Sequence, residues 1–206
     1  NFAGQLIILI LIQLGGIGYM TLGSFIILSW AADLSAGRRE IHHRVFSLPE
    51  TFRVDRFIRH VVIFTGLSET AGALLLYLIF RRNGDGHAGW SAIFHSISSF
   101  CTAGFSLYNN SFEAYAGNFW LNAVVAGLSL LGAIGFIVWA DCWQMLLGRV
   151  RQITLTSKII LWSTGWLVLA GTALFFLVEP GIQPWPADQR LLASFFQTMT
   201  ATTTVG

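Results

Sequence analysis

The stretch from Ser91 to Ser106 (SAIFHSISSFCTAGFS) has the residue types and spacing for chemistry, and that chemistry is ion coordination by backbone oxygen. It is apolar, rich in hydroxyl groups, and too short to cross a bilayer as a helix, which takes roughly 20 residues. We expect a short re-entrant helix, about Ala92 to Phe100, followed by an extended return segment. Because Gly104 accepts backbone angles that other residues avoid, the carbonyls around it can turn towards one axis. Rings of such carbonyls replace the hydration shell of a monovalent cation.

A second copy of this stretch follows in the same chain. A shift of 102 residues aligns hydroxyl residues with hydroxyl residues and glycine with glycine. The aligned pairs are Phe94 and Phe196, Ser96 and Thr198, Ser98 and Thr200, Thr102 and Thr204, Ala103 and Val205, and Gly104 and Gly206. Small residues in the flanking segments also match: Thr65-Gly66 and Ala71-Gly72 with Thr164-Gly165 and Ala170-Gly171, and Leu14-Gly15 with Leu131-Gly132. Internal repeats are a common construction in transport proteins. The sequence therefore predicts a recurring unit of outer helix, pore helix with filter, and inner helix.

The elements that must position these segments are membrane helices. The hydrophobic fraction of 54% and the charged fraction of 11% exclude an ordinary soluble domain and a disordered chain. A net charge of +2, without a basic block interleaved with aromatics, gives no indication of nucleic-acid binding. Four segments are long and apolar enough to span: Phe2 to Trp30, Phe57 to Phe80, Asn118 to Leu147 and Lys158 to Val178.

The basic residues predict the topology. Of the 12 Lys and Arg residues, all but Arg81, Arg82 and Arg190 fall on one predicted side of the membrane. Short loops rich in Lys and Arg stay in the cytoplasm. The first residues already lie in an apolar span and the last residue lies in a filter, so we expect a piece of a longer protein.

Three polar side chains within the apolar segments are candidate functional residues. Glu69 lies inside the second span, where an ionisable group is a functional candidate by default. The alternative, which we favour, is a structural brace to neighbouring backbone or to a pore helix. His95 lies in the first pore helix and corresponds to Gln197 in the second. This match favours a structural hydrogen bond behind the filter over catalysis.

These motifs together resemble the Trk/Ktr/HKT superfamily of potassium transporters. Thr102 to Ser106 (TAGFS) is similar to the potassium-channel filter Thr-Val-Gly-Tyr-Gly. The first inner helix, Gln13 to Thr21 (QLGGIGYMT), and the second filter region, Gln197 to Gly206, match in the same order. The short basic link before Phe57 is more similar to the Ktr-type bacterial membrane subunit than to the longer Trk type.

The resemblance implies an all-α membrane protein with four outer-helix, pore-loop and inner-helix repeats around one potassium-channel-like pore. The chain would then be a fragment of that four-repeat protein. Residues 1–56 would hold the first inner helix and a cytoplasmic link, 57–157 the complete second repeat, and 158–206 the outer helix, pore helix and filter start of the third.

The resemblance also implies potassium uptake across the plasma membrane, with K+ as the transported ion and no organic cofactor. The expected filter residues are Cys101, Thr102, Ala103, Gly104, Thr203, Thr204, Val205 and Gly206. The ion would be bound through the backbone of Thr102, Ala103, Gly104, Thr204, Val205 and Gly206, with pore support from Glu69, His95 and Gln197. The expected surroundings are membrane lipid, a homodimer partner and a cytosolic nucleotide-binding ring, in a multi-pass protein of the bacterial inner membrane.

Other functions are open at the level of the sequence. A sodium or mixed monovalent-cation transporter would have the same fold, and a channel and an ion-coupled transporter would share these motifs. A membrane-embedded enzyme would need a converging set such as His95, Asp141 and Glu69, which fall at different predicted depths. A purely structural subunit is the remaining alternative.

Overall fold

The structure, a computed structural model, describes residues 1–32 and 54–205, with side chains for residues 1–18 and 58–205. All regular secondary structure in that part of the chain is helical: α1 (Phe2–Ala32), α2 (Val54–Arg82), α3 (Ala88–Phe100), α4 (Phe119–Ile134), α5 (Phe136–Leu146), α6 (Leu155–Val178) and α7 (Ala187–Thr203), with 3-10 turns at Glu113–Tyr115 and Pro180–Ile182. The expectation of an all-α protein is confirmed for these residues. Most of the predicted cytoplasmic link, at 33–53, and the filter position Gly206 lie outside the described residues.

The described helices include clear membrane spans. Ile58–Arg82 of α2 and Leu155–Val178, which is the whole of α6, are long and apolar enough to cross a bilayer. A bent pair, α4 with α5, makes a third span if it is counted as one, and α1 contributes a shorter apolar stretch, Phe2–Gly18. The apolar window of α6 contains no fully buried residue, although one side of the helix packs on α7.

The inner helix predicted from Asn118 to Leu147, with possible bends at its glycines, is broken into two helices at Gly135. The backbone at Gly135 has φ +87° and ψ 152°, and the axes of α4 and α5 differ by 97°. Glycine adopts a positive φ without a Cβ penalty. The break frees the backbone carbonyl of Leu131, which accepts a hydrogen bond from the Trp139 indole at 3.0 Å. The apolar pattern continues through the glycine, so the pattern alone favours one helix.

The two helices that precede the candidate filter segments, α3 and α7, each pack on a long helix and are joined through α4. α3 packs most extensively on α2, α7 packs on α6, and α4 contacts both α3 and α7. The buried cluster that results joins Phe80 of α2, Phe100 of α3, Leu121 of α4 and Met199 of α7. This arrangement brings the carboxyl ends of α3 and α7 to the same region of the molecule.

Close approaches at glycine fix each outer helix against its short helix. A Cβ added at Gly72 of α2 would lie 2.6 Å from the Ser96 hydroxyl of α3. A Cβ added at Gly171 of α6 would lie 3.2 Å from the Thr198 hydroxyl of α7. Ser96 and Thr198 are matched positions of the sequence repeat, so the same contact occurs in both copies. Small residues allow membrane helices to approach backbone to backbone.

Candidate cation-binding site

α3 ends in a hydrogen-bonded reversal that begins the first candidate coordination segment, residues 101–106. The backbone N–H of Thr102 donates to the carbonyl of Ser99 at 3.1 Å, and that of Ala103 donates to the carbonyl of Ser98 at 2.9 Å. Thr102 has φ +52° and Gly104 has φ +71°. The two bonds form a Schellman motif, in which the left-handed position is usually glycine. The chain is thereby turned back after 13 helical residues, or about 20 Å.

The end of α7 adopts a similar conformation and lies beside the end of α3. Thr204 follows the last helical residue with φ +62°. Its hydroxyl lies 3.4 Å from the backbone oxygen of Thr102, a residue 102 positions away. These are matched positions of the repeat, and both are β-branched residues in the left-handed region, where such residues are genuine outliers. Strained backbone of this kind is concentrated at functional sites.

Relieving the strain at Thr102 should stabilise the fold and impair the site. The left-handed conformation costs an L-residue roughly 1–2 kcal/mol, and the extra freedom of glycine in the unfolded chain offsets roughly 0.5–1 kcal/mol. We therefore expect Thr102→Gly to raise the free energy of unfolding by up to about 1 kcal/mol, while ion selectivity falls because the turn loosens. Thermal unfolding in detergent and flux selectivity measure the two effects. Ser111→Gly is the matched control, since Ser111 has φ +49° in a connecting loop. Equal loss of selectivity in both variants would contradict a specific role for Thr102.

Ser98 holds the return segment against α3. Its hydroxyl donates to the backbone carbonyl of Phe105 at 2.7 Å. That carbonyl is the first after Gly104, and the bond turns it towards α3. The Phe105 carbonyl is therefore engaged with α3, while the Thr102 carbonyl lies 3.4 Å from the Thr204 hydroxyl.

His95 holds the next two residues of the return segment. Its Nε2 accepts from the backbone N–H of Leu107 at 3.2 Å and lies 3.0 Å from the Ser106 hydroxyl. Because a backbone N–H can only donate, Nε2 is an acceptor and the ring proton is on Nδ1. Nδ1 then donates to the carbonyl of Ser91 at 2.7 Å. His95 is thus a neutral ring that ties α3 to the segment behind the candidate site.

Asp85 fastens the start of α3 to the same return segment. Its Oδ1 accepts from the backbone N–H of His87 at 2.8 Å, and its Oδ2 accepts from the Tyr108 hydroxyl at 2.8 Å. Partial burial raises the pKa of Asp85, but hydrogen bonds from His87, Ser91 and Tyr108 outweigh it and hold the pKa below its usual value. Burial, together with the bond to Asp85, raises the pKa of the Tyr108 phenol. The Tyr108 ring stacks on His95 with centroids 4.9 Å apart.

Glu69 joins α1, α2 and the end of α3. Its Oε2 accepts from the Gln13 side-chain amide at 3.0 Å, and its Oε1 lies 3.8 Å from the Cys101 sulfur. Its backbone carbonyl accepts from the Ser96 hydroxyl at 2.7 Å. Only 9% of the residue is exposed. These contacts are those of a brace behind the candidate site.

Two further glycines allow helices to approach the end of α3 closely. A Cβ added at Gly16 of α1 would lie 2.9 Å from the Cβ of Cys101. A Cβ added at Gly132 of α4 would overlap the carbonyl of Phe100, at 2.9 Å from its carbon. The last residues of α3 are therefore held between α1 and α4.

Comparison with known proteins assigns the family. The family model described as TrkH, cation transport protein, matches residues 1–206. This chain belongs to the TrkH family of cation transport proteins.

Three relatives of this TrkH-family chain illustrate the match. The potassium/sodium uptake protein NtpJ of Enterococcus hirae is 33% identical over 98% of this chain and 46% of the relative. The Ktr system potassium uptake protein B is 30% identical in Vibrio alginolyticus, over 98% of this chain and 46% of the relative. The protein of the same name in Bacillus subtilis is also 30% identical, over 97% of this chain and 46% of the relative. The chain thus spans about half the length of these relatives.

Membership of the TrkH family excludes the enzyme alternative and confirms the expected location. TrkH-family relatives are transporters, and the apolar helices place this chain in a multi-pass plasma-membrane protein. The three residues that an enzyme would have needed are not brought together. His95 bonds to Ser91, Ser106 and Leu107, and Asp141 bonds to Thr154 and Ser157. Among the described residues, no group of three His, Cys, Asp or Glu side chains is arranged to hold a metal.

The predicted filter residues of this TrkH-family chain are only partly gathered. Cys101, Thr102, Ala103 and Gly104 follow α3 directly, and Thr204 lies beside them. Three other predicted residues, Thr203, Val205 and Gln197, lie in different surroundings. Thr203 is the last residue of α7, and its hydroxyl bonds to the carbonyl of Met199 at 2.8 Å, so this predicted filter residue is helical. Val205 is buried, and Gln197 is exposed where His95 is buried.

The sequence does not identify the partners of the hydroxyl groups. In α7 the buried hydroxyls of Ser194 and Thr198 bond to carbonyls of their own helix. In α3 those of Ser96 and Ser98 instead bond to other segments, although the two helices have the same pattern. Asp85 was also missed, although an Asp shortly before a helix is a recognised start signal.

Replacing Glu69 tests the brace. We expect Glu69→Gln to fold and to keep ion selectivity, because the new amide oxygen still accepts from Gln13. Glu69→Ala should lower the free energy of unfolding by about 1–3 kcal/mol, since the buried Gln13 amide is left without its acceptor. Thermal unfolding and flux selectivity distinguish the two variants. A folded Glu69→Gln protein that has lost selectivity would show that the carboxylate belongs to the ion pathway.

Proposed function

We propose that this chain provides part of a potassium uptake pathway, with the backbone carbonyls of residues 102–104 and 204–206 as its selectivity filter. One observation carries the proposal: α3 and α7 end side by side, and Thr102 and Thr204 both have a left-handed backbone conformation. The Thr204 hydroxyl lies 3.4 Å from the backbone oxygen of Thr102. The side-chain bonds of Ser98, His95 and Glu69 lie behind these ends, which leaves backbone oxygen as the group available to an ion. The names of the relatives, as potassium or potassium/sodium uptake proteins, support the same function.

The mechanism needs no bond-making chemistry. Carbonyl oxygens replace water around the dehydrated ion. A helix carboxyl terminus has roughly half a negative charge, and two such termini, at Phe100 and Thr203, adjoin the site. They lower the energy of a cation at membrane depth. Potassium is the cargo of this pathway and is not a resident cofactor.

The proposed pore is completed by parts of the protein beyond this chain. We propose that residues 1–56 hold the first inner helix and link, 57–157 the second repeat, and 158–206 the start of the third, in a four-repeat protein. The proposal extends to a homodimer in membrane lipid on a cytosolic nucleotide-binding ring. It rests on the resemblance to Ktr-type subunits and on the relatives named as Ktr system proteins.

Rubidium uptake tests the function. The full-length protein containing this chain, expressed in a host deficient in potassium transport, should take up rubidium and be competed more strongly by K+ than by Na+. Equal competition would support a mixed monovalent-cation transporter, the alternative that the potassium/sodium relative favours. No uptake by a protein that reaches the membrane would support a structural subunit.

A further inference from the structure

The helix after the break at Gly135, α5, leaves the direction of α4. α5 lies at 97° to α4. It is also tied to the first turn of α6, because Asp141 Oδ2 accepts from the hydroxyls of Thr154 and Ser157, each at 2.6 Å. Thr154 is the N-cap of α6. The direction of α5 is therefore fixed at its start by the break and at its middle by this carboxylate.

These bonds set the depth of α5 in the membrane. α6 is 24 residues long, about 36 Å, which is close to the thickness of the hydrocarbon core. Its first turn therefore lies at one membrane boundary. Asp141 is in the middle of α5 and contacts that turn, so α5 lies at the same boundary. A helix at this depth and at right angles to a span lies along the membrane surface.

The outer side of α5 has large apolar side chains that are exposed, as do the first turns of α6. The exposed fractions are 56% at Ile137, 61% at Trp143 and 77% at Leu146. In the first turns of α6, Leu155 is 73% exposed and Ile159 is 58% exposed. Trp is typical of the membrane–water interface. At the start of α5 the opposite side is held by protein, since Val138 is 2% exposed, whereas Met145 further along that side is 42% exposed.

Positive charge adjoins this apolar surface. Arg149 and Arg151 follow α5 directly, and both are exposed. Basic residues at a cytoplasmic membrane surface gain about 1 kcal/mol each from anionic lipid. An apolar helix with basic residues at its end matches an anionic leaflet better than it matches a second protein surface.

We propose that α5 is an interfacial helix that lies in the inner leaflet through its face with Ile137, Trp143 and Leu146. Arg149 and Arg151 bind the phosphate groups of anionic phospholipid beside it. The site takes a lipid headgroup together with its acyl chains. This inference depends on the membrane placement of α6 and is independent of the ion that passes the pore.

Spin labelling locates α5. A nitroxide is attached at Leu146→Cys in the otherwise cysteine-free full-length protein, in vesicles of phosphatidylglycerol and phosphatidylethanolamine, with Leu147→Cys as a second site. We expect greater access of oxygen than of a water-soluble nickel chelate. The oxygen-to-nickel ratio should lie between the ratios of two reference labels, at Trp162→Cys and at Arg151→Cys. Trp162 lies on α6 about 12 Å beyond Thr154. Shielding from both reagents at both sites would show that protein covers α5, and a ratio equal to that at Arg151→Cys would place it in water. Either result overturns the proposal.

Removing the two charges tests the lipid. The Arg149→Gln/Arg151→Gln protein should lose at least half of the rise in unfolding temperature that phosphatidylglycerol gives the unmodified protein over phosphatidylcholine. If free phosphate added to the unmodified protein removes the same part of this rise, the two arginines form an anion site without lipid. If the rise is the same in the variant as in the unmodified protein, headgroup binding is contradicted. Rubidium uptake is measured on the same vesicles. Interfacial labels in a protein that takes up no rubidium would contradict the proposed transport and support this inference.

Discussion

Serine in place of Gly104 is expected to reduce the preference for potassium over sodium by about tenfold. Gly104 has φ +71°, a conformation that costs an L-residue roughly 1–2 kcal/mol. The chain can avoid this cost by rotating the peptide units on either side of residue 104, which turns the carbonyls of Ala103 and Gly104 away from the ion. A loss of about 1.4 kcal/mol in differential binding corresponds to a tenfold change. Rubidium uptake with sodium as competitor measures it.

Gly148→Ser separates the effect at the filter from the cost of the backbone. Gly148 has φ +69° and open space around the position of a Cβ, in the turn after α5. The substitution therefore has nearly the same conformational cost at a place far from the carbonyls. It should leave selectivity unchanged. Unchanged selectivity in the Gly104→Ser protein would remove residues 102–104 from the ion pathway.

Alanine in place of Gly132 is expected to lower both stability and uptake. The new methyl group would overlap the carbonyl of Phe100, which is backbone and cannot rotate away as a side chain does. Overpacking of this kind costs about 1–3 kcal/mol. The end of α3 must shift, and the coordination segment that begins at Cys101 shifts with it. Thermal unfolding in detergent and rubidium uptake should both report the change.

Gly127→Ala is the control within the same helix. A Cβ at Gly127 has nothing within 4 Å. Alanine is favoured over glycine in a helix by about 1 kcal/mol, so this variant should be as stable as the unmodified protein or more so. Similar losses in the two variants would indicate that α4 needs flexibility, and that contact with α3 is not the cause.

The sequence by itself determined the class of the protein, and it predicted a repeat. Apolar length identifies spans because a bilayer sets a minimum number of helical residues, and this property needs no knowledge of neighbours. The hydroxyl and glycine spacing around Thr102 and Thr204 identifies the repeat because it depends on local order alone. The short helix ending at Phe100 was predicted to begin at about Ala92, and it begins at Ala88. The sequence favours a short helix here because the segment is too short to span a bilayer.

Only the tertiary structure decided which groups meet. Gly135 resembles the other glycines of its helix in sequence, and only the structure shows that the helix breaks there, where the Trp139 indole donates to the freed carbonyl of Leu131. The hydroxyl of Ser98 bonds to Phe105 and the carboxylate of Glu69 bonds to Gln13, a residue 56 positions away. Such partners depend on how helices pack, because a polar group in an apolar medium bonds to whatever the fold brings within reach.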